Sequence, residues 1–263
     1  MRRTKSLSAS LVILVVSTVA IQNVSAQSPR NVFEWTPEKV VEQAWLAERD
    51  EFAANVYVHS PERGFVQTGA GSYHLPMTDL VIPVASAELR IERLYDSNSA
   101  FRGVFGIGWH SSLDAVLRVN KNNIVEVNIG GVPYRFQSDP ASPTHLKPLQ
   151  TATASLTKAA NGQYDFTSAD GRRSFTADGK LIEWQKQGTT FEFAYQGKSL
   201  SQIRAGAQSL LNIKSTENGL IEQLADATDR TLQFQYDQAG HLTQATHVDR
   251  TTETYQFNSA GQL

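Results

Sequence analysis

The chain has 263 residues, of which 40% are hydrophobic and 19% charged, and its formal net charge is −2. This composition argues against a disordered chain and predicts a folded protein with a sizeable core. The mild acidity and the lack of a basic block argue against nucleic-acid binding, which needs clustered Lys and Arg. The chain has no cysteine, so disulfides are excluded as well.

The first 26 residues have the pattern of a secretory signal peptide. Arg2, Arg3 and Lys5 precede an apolar run from Leu11 to Ile21, and small residues up to Ala26 predict cleavage after that residue. The alternative is a membrane anchor, but 11 apolar residues fall short of the ~20 that cross a bilayer. We therefore expect a secreted, periplasmic or cell-envelope protein without a membrane span after cleavage.

A helix is predicted next, within residues 27–55. Thr36 is suited to an N-cap, Pro37 to the first helical position, and apolar residues from Val41 to Phe52 recur at helical spacing. Core packing explains such a stripe, and a partner-binding helix is the alternative.

From about Val56 the pattern changes to short alternating runs separated by Gly, Asn, Asp and Pro, which predicts a mainly β, antiparallel fold. Residues 89–95, 124–129, 132–136 and 191–195 are four such runs. A stretch rich in Pro, Thr and Ser from Asp139 to Thr153 predicts a boundary, dividing a β domain of residues 56–150 from a repeat region of residues 151–263.

The repeat is a spaced pattern in the second region: an aromatic residue, a glycine four positions later and an aliphatic residue two positions after that. The best-placed glycines of the repeat copies lie at positions 179, 219, 240 and 261, so they are 40, 21 and 21 residues apart. The interval of 40 corresponds to two repeats, because a blurred copy near Gly197 lies within it. The clearest copies are Phe175-Gly179-Leu181, Tyr236-Gly240-Leu242 and Phe257-Gly261-Leu263.

Each unit predicts two strands and two turns. Leu232, Phe234 and Tyr236 alternate with glutamines, which predicts a half-buried strand, and the segment from Asp237 to Gly240 has turn chemistry. Such units bury their apolar faces only when neighbours stack beside them.

These residues resemble the YD repeat of the Rhs family, because Tyr236-Asp237 with Gly240 and Leu242 matches its unit. The ordered motifs Gly71-Ser-Tyr73, Thr78–Pro83, Arg93–Ser97 and Phe105-Gly106-Ile-Gly108-Trp109 resemble the uncharacterised domain that often precedes Rhs repeats. The resemblance implies a spiralling β-sheet, which in long members becomes a hollow shell around a C-terminal toxin. This chain has few repeats and lacks both the Asp-Pro-rich core motif and a toxin domain.

Catalytic chemistry finds little support. The Phe105-Gly106-Ile107-Gly108-Trp109 segment is interpreted as a packed turn, with a sugar-stacking platform as the alternative. His74 with Asp79, and His110 with Asp114, have the spacing of acid–base pairs, but loop or capping roles are favoured. The six histidines are dispersed, so neither a metal nor a cofactor is expected.

Three functions follow as hypotheses. The first is an exported, non-enzymatic scaffold or binding module of the Rhs/YD-repeat type. The second is the N-terminal piece of a toxin-delivery protein used in competition between bacteria. The third and weakest is a secreted carbohydrate-binding protein or a hydrolase using His110. Trp184 and Tyr255 are taken as exposed aromatic residues at the sheet end; cross-strand packing is the favoured role for both, and stacking on sugar rings is the alternative.

The chain ends on Leu263 of the last repeat copy, without the polar cap of a typical solenoid. We therefore expect an exposed C-terminal sheet edge that pairs with a protein partner or continues into further chain.

Overall fold

A computed structural model describes residues 57–59, 64–67, 71–139, 142–149 and 153–263. These residues form antiparallel strands with no helix among them, so the mainly β prediction is confirmed. In this part of the chain, no helix has the length and apolarity to cross a membrane. The expected signal peptide (residues 1–26) and the expected helix (within residues 27–55) lie outside the described residues.

The first sheet has five strands in the order β1-β2-β3-β4-β7. A separate two-stranded hairpin, β5–β6, follows β4 in the chain. The strands of both are β1 (Tyr57–His59), β2 (Phe65–Gln67), β3 (Ser72–Val84), β4 (Ala87–Asp96), β5 (Arg102–Gly103), β6 (Gly106–Ile107) and β7 (Trp109–Ser111).

The second sheet has fifteen strands, each paired with its neighbours in chain order. They are β8 (Ala115–Val119), β9 (Ile124–Ile129), β10 (Val132–Asp139), β11 (Ser142–Pro148), β12 (Ser155–Lys158), β13 (Tyr164–Ser168), β14 (Gly171–Phe175), β15 (Leu181–Lys186), β16 (Thr189–Gln196), β17 (Ser199–Ala205), β18 (Gln208–Ser215), β19 (Ile221–Asp226), β20 (Thr231–Tyr236), β21 (Leu242–Thr246) and β22 (Thr252–Thr254).

The strands of the long sheet follow the alternation seen in the sequence. In β20, Leu232 and Phe234 are buried while Gln233 and Gln235 are exposed. Because alternate side chains point to opposite faces, one face of each strand joins the core and the other faces solvent.

The stretch rich in Pro, Thr and Ser contains a strand that the sequence analysis missed. β11 pairs with β10 and with β12, so the ladder runs through the predicted boundary near residue 150. Pairing with β12 is limited to His145 and Leu146, which lie between Pro143 and Pro148. The prolines are tolerated because they flank this short paired segment, where they remove no donor that the β12 ladder needs. The division into domains remains a prediction.

The long hairpin β3–β4 lies against the second sheet along its length. At its tip, the Ser86 hydroxyl donates to the carbonyl of Gln187, at the turn between β15 and β16, over 2.6 Å. At its base, the Tyr95 hydroxyl accepts from the N–H of Leu263 over 2.9 Å. Side chains from both sheets form one hydrophobic cluster, so the hairpin is part of a shared core.

Candidate interaction site at the repeat turns

The turn of the clearest repeat copy is held by Asp237. The N–H of Asp237 donates to the carbonyl of His241 over 3.0 Å, and the N–H of Gly240 donates to the carbonyl of Asp237 over 3.1 Å. The Asp237 carboxylate also accepts from the N–H groups of Gly240 and His241, at 2.8 and 2.9 Å. Gly240 has a φ of +92°, which glycine adopts without the steric cost of a Cβ. This is a type I turn followed by a left-handed residue.

The same backbone geometry recurs in other copies. Thr176, Thr216 and Asn258 occupy the position of Asp237, and each donates its N–H to the carbonyl four residues later. Each side-chain oxygen also accepts from a later N–H of its own turn. The blurred copy differs, because Gly197 lies in a shorter turn between Gln196 and Ser199. We call the four longer turns, residues 176–180, 216–220, 237–241 and 258–262, the repeat turns.

Each repeat turn is linked to the N-terminal part of the chain by a hydrogen bond from a main-chain group. In two cases that group belongs to the turn itself, and in two it belongs to the residue that follows the turn. The contacts are Leu117 N–H to Gly179 O at 2.9 Å, Ile221 N–H to Val104 O at 2.8 Å, Ile107 N–H to Gly240 O at 3.2 Å, and Leu263 N–H to the Tyr95 hydroxyl at 2.9 Å. Arg102 adds a side-chain donation to the carbonyl of Ala239 over 2.8 Å. The turns therefore serve both as strand connections and as docking points.

Gly106 and Gly108 of the Phe105–Trp109 segment are packed without space for a side chain. A Cβ at Gly106, where φ is +96°, would overlap the carbonyl oxygen of Gly240. A Cβ at Gly108, where φ is +76°, would lie 2.6 Å from the ring of Tyr95. Glycine is needed at position 106 because the β5–β6 hairpin approaches the repeat sheet backbone to backbone, and at position 108 because the Tyr95 ring leaves no space.

A buried ion pair lies behind this segment. Arg93 of β4 donates to both carboxylate oxygens of Asp79 at 2.5 and 2.8 Å, and both side chains are fully buried. Asp79 reaches inward at a bulge in β3, where the register with β4 shifts. Burial by itself would lower the pKa of Arg93, but the attraction of Asp79 raises it. Arg93 is thus held in its charged form.

Aromatic rings from both sheets surround the Arg93 guanidinium. Its central carbon lies 4.7 Å from the ring centre of Trp109, 5.2 Å from Phe234 and 5.4 Å from Phe105. Tyr255 packs edge-to-face on Trp109 at 5.4 Å. A cation desolvated against ring faces contributes about 2 kcal/mol, so Arg93 links β4 to the repeat strands.

The other predicted repeat residues are also packed. Leu242 is fully buried. Phe257 is half-buried and stacks on His241, with ring centres 4.7 Å apart. Gly261 has a φ of +75° in the last repeat turn, and Leu263, next to that turn, packs against the core.

The aromatic residues suggested as sugar platforms are not exposed. Trp109 is fully buried, while Trp184 and Tyr255 are 8% and 7% exposed. The indole N–H of Trp184 donates to the carbonyl of Asp170, and Arg173 lies over its ring. The expectation of exposed rings at Trp184 and Tyr255 is therefore wrong. Trp184 packs on its cross-strand neighbour Phe191, and Tyr255 packs on Trp109 of the first sheet.

The two acid–base pairs suggested by spacing are not formed. His74 Nε2 lies 2.8 Å from the Ser72 hydroxyl, while Asp79 pairs with Arg93. The predicted loop role of Asp79 is wrong, because the β3 bulge turns its side chain into the core.

His110 Nε2 contacts the Ser99 hydroxyl at 3.0 Å, and its ring stacks on Phe101. Burial lowers the pKa of both His74 and His110, and Asp96 opposes the shift in each. The Asp114 carboxyl is buried nearby and accepts from the N–H of Val104.

A groove of about 350 Å³ lies between two repeat turns. Its lining includes Arg102, Asn218, Glu222, Tyr236 and Asp237. Tyr236 is held in place because its hydroxyl donates to the carbonyl of Ile221 over 2.7 Å. The groove is polar and carries both signs of charge. Within the described residues, no cluster of three or more His, Cys, Asp or Glu side chains is arranged to hold a metal ion.

The outer edge of the long sheet is formed by β22. The N–H of Tyr255, just beyond β22, donates to Thr243 of β21, and Thr254 is paired with Gln244. Because alternate residues of an antiparallel ladder bond the same neighbour, the main-chain groups of Thr252, Thr254 and Gln256 point away from β21. No strand pairs with that side of β22 in the described part of the chain.

Together the fold and the turns define a class: a mainly β protein in which repeated strand–turn units pack on an N-terminal hairpin sheet. A family model with the description "Domain of unknown function (DUF6531)" matches residues 64–136, and this domain is found in proteins of the Rhs/YD-repeat type. The matched residues run from β2 into β10, so they include four of the five strands of the first sheet and the start of the long one. No curated protein matches the chain.

Proposed function

We propose that this chain is an exported, non-enzymatic scaffold or binding module of the Rhs/YD-repeat type, acting at the cell envelope or outside the cell. The observation that carries the proposal is the combination of docked repeat turns and an open edge at β22. The family match at residues 64–136 and the recurring turn geometry support it. The export itself rests on the sequence pattern of the first 26 residues.

Scaffolding of this kind requires a stable surface and a place to add a partner. The interior is filled by side chains of both sheets, which favours a structural over a catalytic role. Among the described strands, none pairs with the outward main-chain groups of β22, and such an edge is a template for another strand. The module would therefore recruit a strand from another chain or from further repeats.

A proline at Thr254 tests the edge. Its N–H points away from β21, so Thr254→Pro removes an outward donor and leaves the ladder to β21 intact. We expect the wild-type chain to associate as concentration rises in sedimentation velocity experiments, and the variant to stay monomeric. Thr254→Ala keeps the N–H and should behave as wild type. A wild-type chain that remains monomeric at high concentration would contradict the proposal, and so would a Thr254→Pro variant that associates as strongly as the wild type.

The second candidate is the N-terminal part of a toxin-delivery protein. The open β22 edge favours it, because additional repeat strands would pair there. The two candidates differ in the coding sequence beyond codon 263, where a continuing frame with further Tyr-Asp units would favour the toxin-delivery protein.

A further inference from the structure

One buried carboxyl in the junction between the two sheets has no counter-charge bonded to it. Asp114 lies between β7 and β8 and is 8% exposed. Its Oδ1 accepts from the N–H of Val104 over 2.8 Å. Its Oδ2 is buried and makes no hydrogen bond within the described residues. A carboxylate in this position leaves one charged oxygen unsolvated, which is costly.

The space over Oδ2 is closed by Gly103. A Cβ at Gly103 would lie 2.5 Å from Oδ2 and 2.7 Å from the carbonyl oxygen of Trp109. The oxygen therefore faces main chain of the β5–β6 hairpin and of β7. In this setting a neutral carboxylic acid is better accommodated than a carboxylate, because burial without a donor to Oδ2 penalises the charged form.

Asp114 also connects the segments that dock on the repeat sheet. The N–H of Val104 donates to the Asp114 carboxyl, and the carbonyl of Val104 accepts from the N–H of Ile221. The carbonyl of Asp114 accepts from the N–H of Gly130, at the turn between β9 and β10. Ile107 on the same hairpin donates to Gly240 of a repeat turn. A change at the Asp114 carboxyl therefore reaches the hairpin and its contacts with the repeats.

The electrostatic surroundings agree with this geometry. Burial raises the pKa of Asp114 to about 7, although the N–H groups of Val104 and Ser111 lower it. The ionisable groups on the neighbouring elements include Tyr236 of β20, His110 of β7 and Arg102 of β5, together with the Arg93–Asp79 pair of β4 and β3 and Glu222 of β19. Burial is the main cause of the raised pKa of Tyr236, and repulsion from Asp114 adds to it. The guanidinium of Arg102 donates to the carbonyl of Ala239.

We propose that Asp114 is a proton-dependent latch: its neutral form holds the β5–β6 hairpin on the repeat sheet, and ionisation loosens that contact. The proton exchanges with solvent, and no other reactant is involved. Because folding raises the affinity of this carboxyl for its proton, the stabilisation is complete below the unfolded pKa of about 4 and is lost as pH rises through the folded pKa. This contribution to the docked hairpin is thus larger in acidic than in neutral solution.

Hydrogen exchange of the full chain tests the latch. We expect the protection factor of the Ile107 N–H, corrected for the intrinsic pH dependence of exchange, to fall about tenfold between pH 6 and pH 8. The amides of β16 and β17, remote from the hairpin, are the internal control and should not change over this range. Equal protection of Ile107 at both pH values would overturn the proposal.

Asp114→Asn provides the matched variant, because an amide keeps the acceptor for Val104 and cannot ionise. It should remove the pH dependence at Ile107, and a variant with the same tenfold fall would overturn the proposal. Should the variant fail to fold, the carboxyl carbon of Asp114 can be titrated by NMR in the wild-type chain. A midpoint near 7 supports the latch, and a midpoint near 4 overturns it.

Discussion

The buried pair of Asp79 and Arg93 shows how one residue can join two parts of the molecule. Arg93 belongs to β4, yet its guanidinium lies between Trp109 of β7 and Phe234 of β20. A buried ion pair gains little over an apolar pair of the same volume, but losing one partner leaves an uncompensated charge. The two residues should therefore behave as a unit in mutational tests.

Arg93→Met is expected to lower the free energy of unfolding by about 3–5 kcal/mol, because Asp79 would remain buried without its counter-charge. The double variant Asp79→Leu with Arg93→Met should lose less than the single variant. Urea denaturation monitored by circular dichroism measures both. A double variant whose loss equals the sum of the two single losses would show that the pair is not coupled.

Part of this pair can be recognised in the sequence. Arg93 takes an inward position in the alternating series Leu89, Ile91, Arg93 and Tyr95, and a charge on an apolar face signals a buried partner. The partner itself could not be deduced, because Asp79 is 14 residues away and is turned inward only by the bulge in β3.

Among the elements, the repeat turns combine two tasks. Their internal geometry follows from local chemistry, since a side-chain oxygen at the first position and glycine at the fourth are enough to form the turn. Their docking depends on the β5–β6 hairpin, which meets the turn at Gly240 through Ile107. The sequence accordingly predicts the turns at Gly240 and Gly261, while the partner of each turn emerges only from the tertiary structure.

Gly106→Ala tests the docking contact at the scale of the element. A Cβ there would overlap the carbonyl of Gly240, whereas a Cβ at Gly197, which also has positive φ, would meet nothing within 4 Å. Gly197→Ala should therefore cost only the backbone strain of about 1–2 kcal/mol. Gly106→Ala should cost about 1–3 kcal/mol more, because of the added overlap. Thermal and urea unfolding measure the difference, and equal losses would argue against a tight docking contact.

At the scale of the whole molecule, the two sheets share one hydrophobic cluster. The family match, at residues 64–136, also crosses from the first sheet into the second. The regions on the two sides of the Pro-rich stretch should therefore not unfold independently, even though composition suggests a boundary there. Composition reports local propensity, whereas a continuous ladder through β11 arises from pairing with β10 and β12.

A common unfolding transition is the expected result. Trp109 reports on the first sheet and Trp184 on the repeat sheet, so two variants that each keep one of these as the sole indole, with the other three of the four tryptophans replaced by Phe, give separate fluorescence signals. We expect the two urea midpoints to coincide within about 0.3 M, as for a single cooperative unit. Separate midpoints would show that the two sheets unfold independently.

The contact between Tyr95 and Leu263 has a kinetic consequence. It joins residues 168 positions apart, and the repeat strands that cover Arg93 come from the last third of the sequence. Folding rates fall as contacting residues become more distant in the chain, because loop closure must precede the contact. During synthesis, the long β3–β4 hairpin therefore emerges well before the strands that bury it. Its apolar face must then be shielded or kept unfolded until the repeats arrive, so slow assembly is built into the topology.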